Sequence, residues 1–289
     1  MEIIVGKNAG ICLVAQKAID RMLEEAKKDS VYCIGEIVHN RNVVESLEKV
    51  GINFIKKVEE SKGTIIIGAH GVSKDIYESI KKTNKEVIDL TCPKVMNVKK
   101  IAEEYFEKGY FIIIFGKPNH SEVLGIKSIA KNECVNIANK DQVSETLNRI
   151  KDKNRILIIS QTTFSSAKFD EIVEEIKKQL KMDVILEVKK TVCSTTEIRQ
   201  KETKEIAKKV NAMIIVGDKE SSNTNELYSI ACKYCDNTQF VLNAEELDFS
   251  LIKKDDKIGI MAGASTPKED IYKIKNALLE FEKINKKED

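Results

Sequence analysis

The sequence has no tryptophan, only three histidines (His39, His70 and His120) and only three prolines (Pro93, Pro118 and Pro267) in 289 residues. No apolar run approaches the ~18 residues that a membrane-spanning helix needs, so no membrane role is expected. Neither sign of charge dominates: 48 Lys and Arg stand against 46 Asp and Glu, a net charge of +2. That balance gives no footing for nucleic acid or for an anionic membrane surface. The opening Met1-Glu2-Ile3-Ile4-Val5 carries no basic segment before an apolar one, so no secretory signal is expected and the expected compartment is the cytoplasm. With 42% hydrophobic and 33% charged residues, the chain is neither disordered nor collagen-like. At this length it buries enough surface to fold without disulfide staples.

Seven cysteines are present, at positions 12, 33, 92, 134, 193, 232 and 235. In a reducing compartment such cysteines are more often buried, metal-bound or catalytic than paired. Short β-branched runs, such as Thr64–Ile67, Phe111–Phe115, Ile156–Ile159 and Met213–Val216, show little alternation, as strands covered on both faces do. Amphipathic stretches lie between them. One carries Ala15, Ala18, Ile19 and Met22 on a single face, another Val95, Val98, Ile101 and Ala102, and a third Ile271, Ile274, Leu278 and Phe281. This rhythm predicts an α/β fold with mainly parallel sheets.

The rhythm also repeats. Starting from Cys12, Cys92 and Cys193, a glycine that closes a strand follows after 23, 24 and 24 residues (Gly35, Gly116 and Gly217). A polar side chain opening a helix follows after 27, 28 and 28 residues (His39, His120 and Ser221). A later strand in each repeat ends in a second polar loop: Gly68-Ala69-His70-Gly71-Val72-Ser73, Ser160-Gln161-Thr162-Thr163, and Ala262-Gly263-Ala264-Ser265. Three related α/β units are expected, over residues 12–92, 93–189 and 190–289, with the strand in 1–11 added to the third.

In α/β proteins ligands bind beyond the carboxyl ends of the strands. Three units sharing an axis bring three cysteines together, ringed by six polar loops. Such a set suits an iron–sulfur cluster with one iron left open to substrate; zinc remains the alternative, although its structural sites favour short paired spacings. The loops opening helices present free N–H groups and a positive dipole end, as an anion such as a diphosphate requires, or they are simple caps. Glu122, two residues after His120, is either a general acid or an acidic complement to its helix dipole. Cys33, Cys134 and the Cys232-x-x-Cys235 pair read as structural: Cys33 within a strand, Cys134 before one, and the pair on a helix.

Taken in order, these segments resemble the LytB family: Ala9-Gly10-Ile11-Cys12, Gly35-Glu36-Ile37-Val38-His39-Asn40, Gly68-Ala69-His70-Gly71-Val72-Ser73, Asp89-Leu90-Thr91-Cys92-Pro93, His120-Ser121-Glu122-Val123-Leu124-Gly125, Gln161-Thr162-Thr163, Cys193-Ser194-Thr195-Thr196 with Arg199-Gln200, Ser221-Ser222-Asn223-Thr224, and Gly263-Ala264-Ser265. The resemblance implies a trefoil of three pseudo-threefold-related α/β units around one [4Fe-4S] cluster held by Cys12, Cys92 and Cys193. It implies a diphosphate pocket lined by His39, His70, His120, Ser221, Ser222, Asn223 and Ser265, with Thr162 near the substrate hydroxyl and Glu122 as proton donor. The implied activity is reductive dehydroxylation of 4-hydroxy-3-methylbut-2-enyl diphosphate to isopentenyl and dimethylallyl diphosphate, in the methylerythritol phosphate route to isoprenoids. Ferredoxin or flavodoxin is the implied electron donor. Two positions depart from the family pattern: Val14 replaces a glycine, and Ser121 replaces the proline between His120 and Glu122.

Overall fold

The computed structural model describes residues 1–35, 37–131 and 133–285; Glu36 of the Gly35–Asn40 segment lies outside the described residues. In chain order the first third of the protein holds β1 (Glu2–Val5), α1 (Leu13–Ala26), β2 (Val31–Ile34), α2 (Arg41–Lys49), β3 (Asn53–Ile55), β4 (Thr64–Ile67), α3 (Lys74–Lys81) and β5 (Val87–Asp89). There follow α4 (Pro93–Glu107), β6 (Phe111–Phe115), α5 (Ser121–Ile129), β7 (Cys134–Ile137), α6 (Val143–Arg149), β8 (Arg155–Ser160), α7 (Ser166–Gln179) and β9 (Ile185–Val188). The last third holds α8 (Ser194–Ala207), β10 (Ala212–Val216), α9 (Ser222–Ala231), β11 (Thr238–Val241), β12 (Lys257–Ala262) and α10 (Lys268–Asn285).

The strands form three four-stranded sheets, ordered β3-β2-β4-β5, β7-β6-β8-β9 and β11-β10-β12-β1. Every pairing is parallel. The order is the same in all three, so the sequence repeat is a repeat of sheet topology. In the third sheet the outer place next to β12 is filled by β1, in register from Glu2 opposite Lys257 to Val5 opposite Ile260. The fold class is therefore three parallel-sheet α/β units.

The chain divides into two compact units. One comprises Met1–Gln16, His39–Glu45 and Ser194–Asp289; the other comprises Lys17–Val38 and Ser46–Cys193. The first contains the β11-β10-β12-β1 sheet. Its core is Ile214, Val216, Ile258 and Ile260 on one face, under Ile271, Ile274 and Leu278 of α10, and Met213, Ile215 and Met261 on the other, with Ile206, Leu227 and Ala231 of α8 and α9. The second contains the other two sheets. Around β6 and β8 it packs Ile113, Phe115, Ile156 and Ile158 with Phe169, Ile172 and Ile176 of α7. On the opposite face it packs Ile112, Ile114, Leu157 and Ile159 with Val98, Ala102, Val123 and Ile126 of α4 and α5.

The central strands β4, β6 and β10 are covered on both faces, which is why Thr64–Ile67, Phe111–Phe115 and Ala212–Val216 read as unbroken apolar runs. The outer strands β3, β5, β7, β9 and β11 are only three or four residues long and partly exposed. Their mixed composition gives no such run, and the sequence pattern does not mark them. Cys134 is itself the first residue of β7 rather than a residue before it. Cys232 is the C-cap of α9, and Cys235 follows beyond the helix, so the pair ends a helix instead of lying on one. Among the described residues no helix is long and apolar enough to cross a membrane.

Candidate functional site

Each of the three repeat-defining cysteines sits immediately before a helix, and each has its backbone N–H held by the second polar loop of a repeat. The Cys12 N–H donates to the Ala264 carbonyl at 3.0 Å, the Cys92 N–H to Ala69 at 2.9 Å and the Cys193 N–H to Thr162 at 2.8 Å. The three carbonyls follow β12, β4 and β8. The same local device thus fixes three cysteines at three helix N-termini, where the dipole favours negative charge on a ligand. All three are partly buried thiols outside any disulfide. Cys33, by contrast, is fully buried in β2, and burial pushes its thiol up to about 12, far from a thiolate. Among the described residues no three His, Cys, Asp or Glu side chains form a set that would hold a single metal ion.

In the unit that includes Cys92 and Cys193, the candidate side chains gather where β6 runs into α5 and β8 runs into α7. His120 is the N-cap of α5: its Nδ1 accepts from the Glu122 N–H at 3.2 Å. That bond leaves the ring proton on Nε2 when the imidazole is neutral. The His70 ring meets the His120 ring edge-on, with centroids 5.7 Å apart. Glu122, in the first turn of α5, is 2% exposed. Its carboxyl is gripped at both oxygens by Thr162: the N–H donates to Oε2 and the Oγ1–H to Oε1, each at 2.8 Å. Burial raises the Glu122 pKa; the two Thr162 bonds and the charge of Lys99 oppose the rise without cancelling it. Thr162 is the hub of this unit, because its N–H and hydroxyl hold Glu122 while its carbonyl holds the Cys193 N–H.

The unit that includes Cys12 carries a different kind of site. Here the Cys12 Sγ accepts from the Ala15 N–H at 3.3 Å, and the buried Arg199 guanidinium donates to the Gly10 carbonyl at 2.7 Å. The Ser265 hydroxyl donates to the His39 carbonyl at 3.0 Å, and Asn40 Oδ1 caps α2 by accepting from the Val43 N–H. Ser221 is the N-cap of α9, its Oγ accepting from Thr224 N–H at 3.3 Å. The next three side chains point into the protein without finding partners. Ser222, Asn223 and Thr224 are 6%, 4% and 0% exposed, yet Ser222 Oγ, both ends of the Asn223 amide and Thr224 Oγ1 make no hydrogen bond among the described residues. Gly263 is what lets the following loop lie this close, since a Cβ there would overlap Thr224 Oγ1. Buried polar atoms left open cost about 1–3 kcal/mol each, so a run of them at a helix N-terminus is what an absent anion would satisfy.

Taken unit by unit, the thiols at helix starts are ligand types that iron–sulfur groups take, and the open polar atoms at the start of α9 are of the kind that bind an anion. The sequence pattern passes over two residues. Asp218, buried at the end of β10, accepts from the Arg41 N–H and Nε at 3.0 and 3.1 Å and from the Glu220 N–H at 2.9 Å. Burial raises its pKa, but those N–H bonds and the Arg41 charge outweigh that and hold the carboxyl below its ordinary range. Lys99 is the other; it lies among exposed lysines of α4 in sequence, but its Nζ turns inward to the Val72 carbonyl at 2.7 Å.

The model of the LytB protein family matches residues 3–279. A protein from Caldanaerobacter subterraneus subsp. tengcongensis, named 4-hydroxy-3-methylbut-2-enyl diphosphate reductase, is 38% identical over 96% of this chain and 97% of its own length. A solved structure of (E)-4-hydroxy-3-methyl-but-2-enyl diphosphate reductase, described as the terminal enzyme of the non-mevalonate pathway, superposes with a TM-score of 0.67 at 33% identity, over 97% of this chain and 100% of that one. The structure of the E-1-hydroxy-2-methyl-but-2-enyl-4-diphosphate reductase from Plasmodium falciparum gives a TM-score of 0.87 at 29% identity, over 95% and 87% of the two chains. With the family model spanning nearly its whole length, this chain belongs to the LytB family.

Proposed function

We propose that the protein is a 4-hydroxy-3-methylbut-2-enyl diphosphate reductase. It removes the substrate's hydroxyl as water, consuming two electrons and two protons, and releases isopentenyl and dimethylallyl diphosphate. The observation that carries this reading is the chain of hydrogen bonds from Glu122 through Thr162 to the backbone of Cys193, which ties a buried carboxyl of raised pKa to a cysteine at a helix N-terminus. Cys12, Cys92 and Cys193 would hold one [4Fe-4S] cluster, which when bound supplies the electrons and a Lewis-acidic iron.

The chain's own residues have separable tasks in this reading. Ser222, Asn223 and the N–H groups at the start of α9 bind the diphosphate, joined by His39, His70, His120, Ser221 and Ser265. Holding the anionic tail orients the allylic end and lowers the entropic part of the barrier. Thr162 orients the Glu122 carboxyl, and burial keeps a proton on it to higher pH than an ordinary glutamate would allow, so it can protonate the departing oxygen. The electrons come from a small one-electron carrier such as ferredoxin or flavodoxin.

The test is an anaerobic assay of the cluster-loaded protein with reduced viologen and the hydroxylated allylic diphosphate. Formation of both five-carbon diphosphates is expected, with iron and acid-labile sulfide lost together in Cys92→Ser. A brown, iron-loaded protein that leaves the substrate untouched would make it a binding module instead of a reductase.

A further inference from the structure

Lys99 is held in a slot that only glycine could leave open. Its Nζ donates to the Val72 carbonyl at 2.7 Å. A Cβ on Gly71, whose φ is +68°, would lie 2.6 Å from Nζ, and a Cβ on Gly125 would lie 2.9 Å from Lys99 Cε. Gly125 stands three residues after Glu122 on α5, so the lysine stem crosses the same face of that helix one turn further along. The other side of Lys99 lines a groove of about 430 Å³, open to solvent, with Asp89, Thr91, Lys74 and Glu103 on its walls. Lys99 thus runs from the groove across α5 at Gly125, one turn from Glu122, and ends on the Val72 carbonyl.

We propose that Lys99 is a positioning residue for Glu122, its ammonium stem packed across α5 one turn from the carboxyl and setting the pH range over which that carboxyl keeps its proton. The proposal rests on the reading of Glu122 as proton donor. Burial lowers the Lys99 pKa, and the charges of the Asp89 and Glu122 carboxyls oppose that fall without cancelling it. The groups around Glu122 are Lys99 from α4, Thr162 from the loop after β8, and His120 with His70 beyond it at the mouth of α5. Of these, Lys99 is the one whose charge acts on the carboxyl. Without it, nothing offsets burial except Thr162, and the carboxyl would hold its proton further into the alkaline range, where a tightly held proton is transferred less readily.

The experiment is infrared titration of the full chain carrying 13C-labelled glutamate, with the Glu122 carboxyl band assigned by its loss in Glu122→Gln. Lys99→Met and Lys99→Gln should both raise the midpoint of that band by about one pH unit. Lys99→Gln keeps a donor for the Val72 carbonyl and so separates charge from hydrogen bonding. Lys99→Arg should restore the wild-type midpoint. The alkaline limb of the turnover profile should move up by the same amount in the first two variants. An unchanged midpoint in both neutral variants overturns the proposal, as does an equal rise in Lys99→Arg. Wild-type turnover by Glu122→Gln would instead remove Glu122 as proton donor, and the band midpoint would still report on Lys99.

Discussion

The mouths of α5 and α9 occupy equivalent places in two repeats, yet their polar groups are arranged in opposite ways. At α5 the buried carboxyl of Glu122 is matched oxygen for donor by Thr162, and His120 closes the cap. At α9 the cap is closed by Ser221, but Ser222, Asn223 and Thr224 are just as buried and leave four polar atoms open. A satisfied network is rigid and holds one group in one orientation, as proton transfer requires; an unsatisfied one is held ready for a ligand that completes it. In the proposed function the same helix-start geometry serves chemistry in one repeat and recognition in another, and the difference lies in whether the partners are internal.

The largest effect expected from breaking this contrast is at α5. Glu122→Gln keeps the shape and both contacts to Thr162 but cannot give up a proton. Turnover should fall by about 10²- to 10⁴-fold while the Michaelis constant changes little. A loss carried mainly by the Michaelis constant would move Glu122 from chemistry to binding and erase the distinction between the two mouths.

Removing one hydroxyl from each mouth gives the sharper comparison. Thr162→Val strips a donor from a buried carboxyl and should lower folding stability by about 1–3 kcal/mol. Ser222→Ala strips an atom that has no partner among the described residues; its stability in chemical denaturation should hold or rise slightly, while the Michaelis constant for the diphosphate rises about tenfold or more through loss of a bond to a charged group. If Ser222→Ala is the less stable variant of the two, its hydroxyl is structural and the α9 mouth is not open.

How much of this was visible beforehand follows from the range of each interaction. Phe111–Phe115 and Met213–Val216 declare themselves as strands because burial on both faces leaves an unbroken apolar run, whereas Val87–Asp89 and Ile185–Val188 lie at sheet edges with mixed surroundings and are found only by their pairing to β4 and β8. The cysteine, histidine and serine positions at helix starts follow from the repeat spacing. The grip of Thr162 on Glu122 does not, since it joins residues 40 apart, nor does the inward turn of Lys99, whose room is left by two glycines, Gly71 and Gly125, distant from it in the chain. Asp218 was passed over for a related reason: an acid after a strand is ordinary until the chain returns Arg41 to it from 177 residues away.

That Asp218 contact predicts a smaller, pH-dependent effect beside the α9 mouth. Its carboxyl has a lower pKa folded than the ~3.9 of an unfolded aspartate. The stability it contributes is therefore complete above about pH 4 and is lost as pH falls through the folded value. Wild type should lose stability on acidification below about pH 4 more steeply than Asp218→Asn, by denaturant midpoints taken at several pH values. Parallel curves would mean the ion pair with Arg41 is no stronger folded than unfolded.

The smallest effect is expected at the far end of α9. Cys232 is the C-cap of α9, at the opposite end of a helix from the setting shared by Cys12, Cys92 and Cys193. Its partner in the C-x-x-C spacing, Cys235, is buried; its Sγ–H donates to the Asn237 carbonyl at 3.4 Å, and burial raises the pKa of its thiol. One exposed and one buried thiol, both at the C-terminal end of a helix, make a poor redox or metal pair. Cys232→Ser should leave iron content, turnover and the substrate Michaelis constant at wild-type values, with stability within about 0.5 kcal/mol. A fall in iron content would show that a cysteine outside the three helix starts feeds the metal centre, and position at a helix N-terminus would no longer distinguish the cysteines that hold metal from those that fill space.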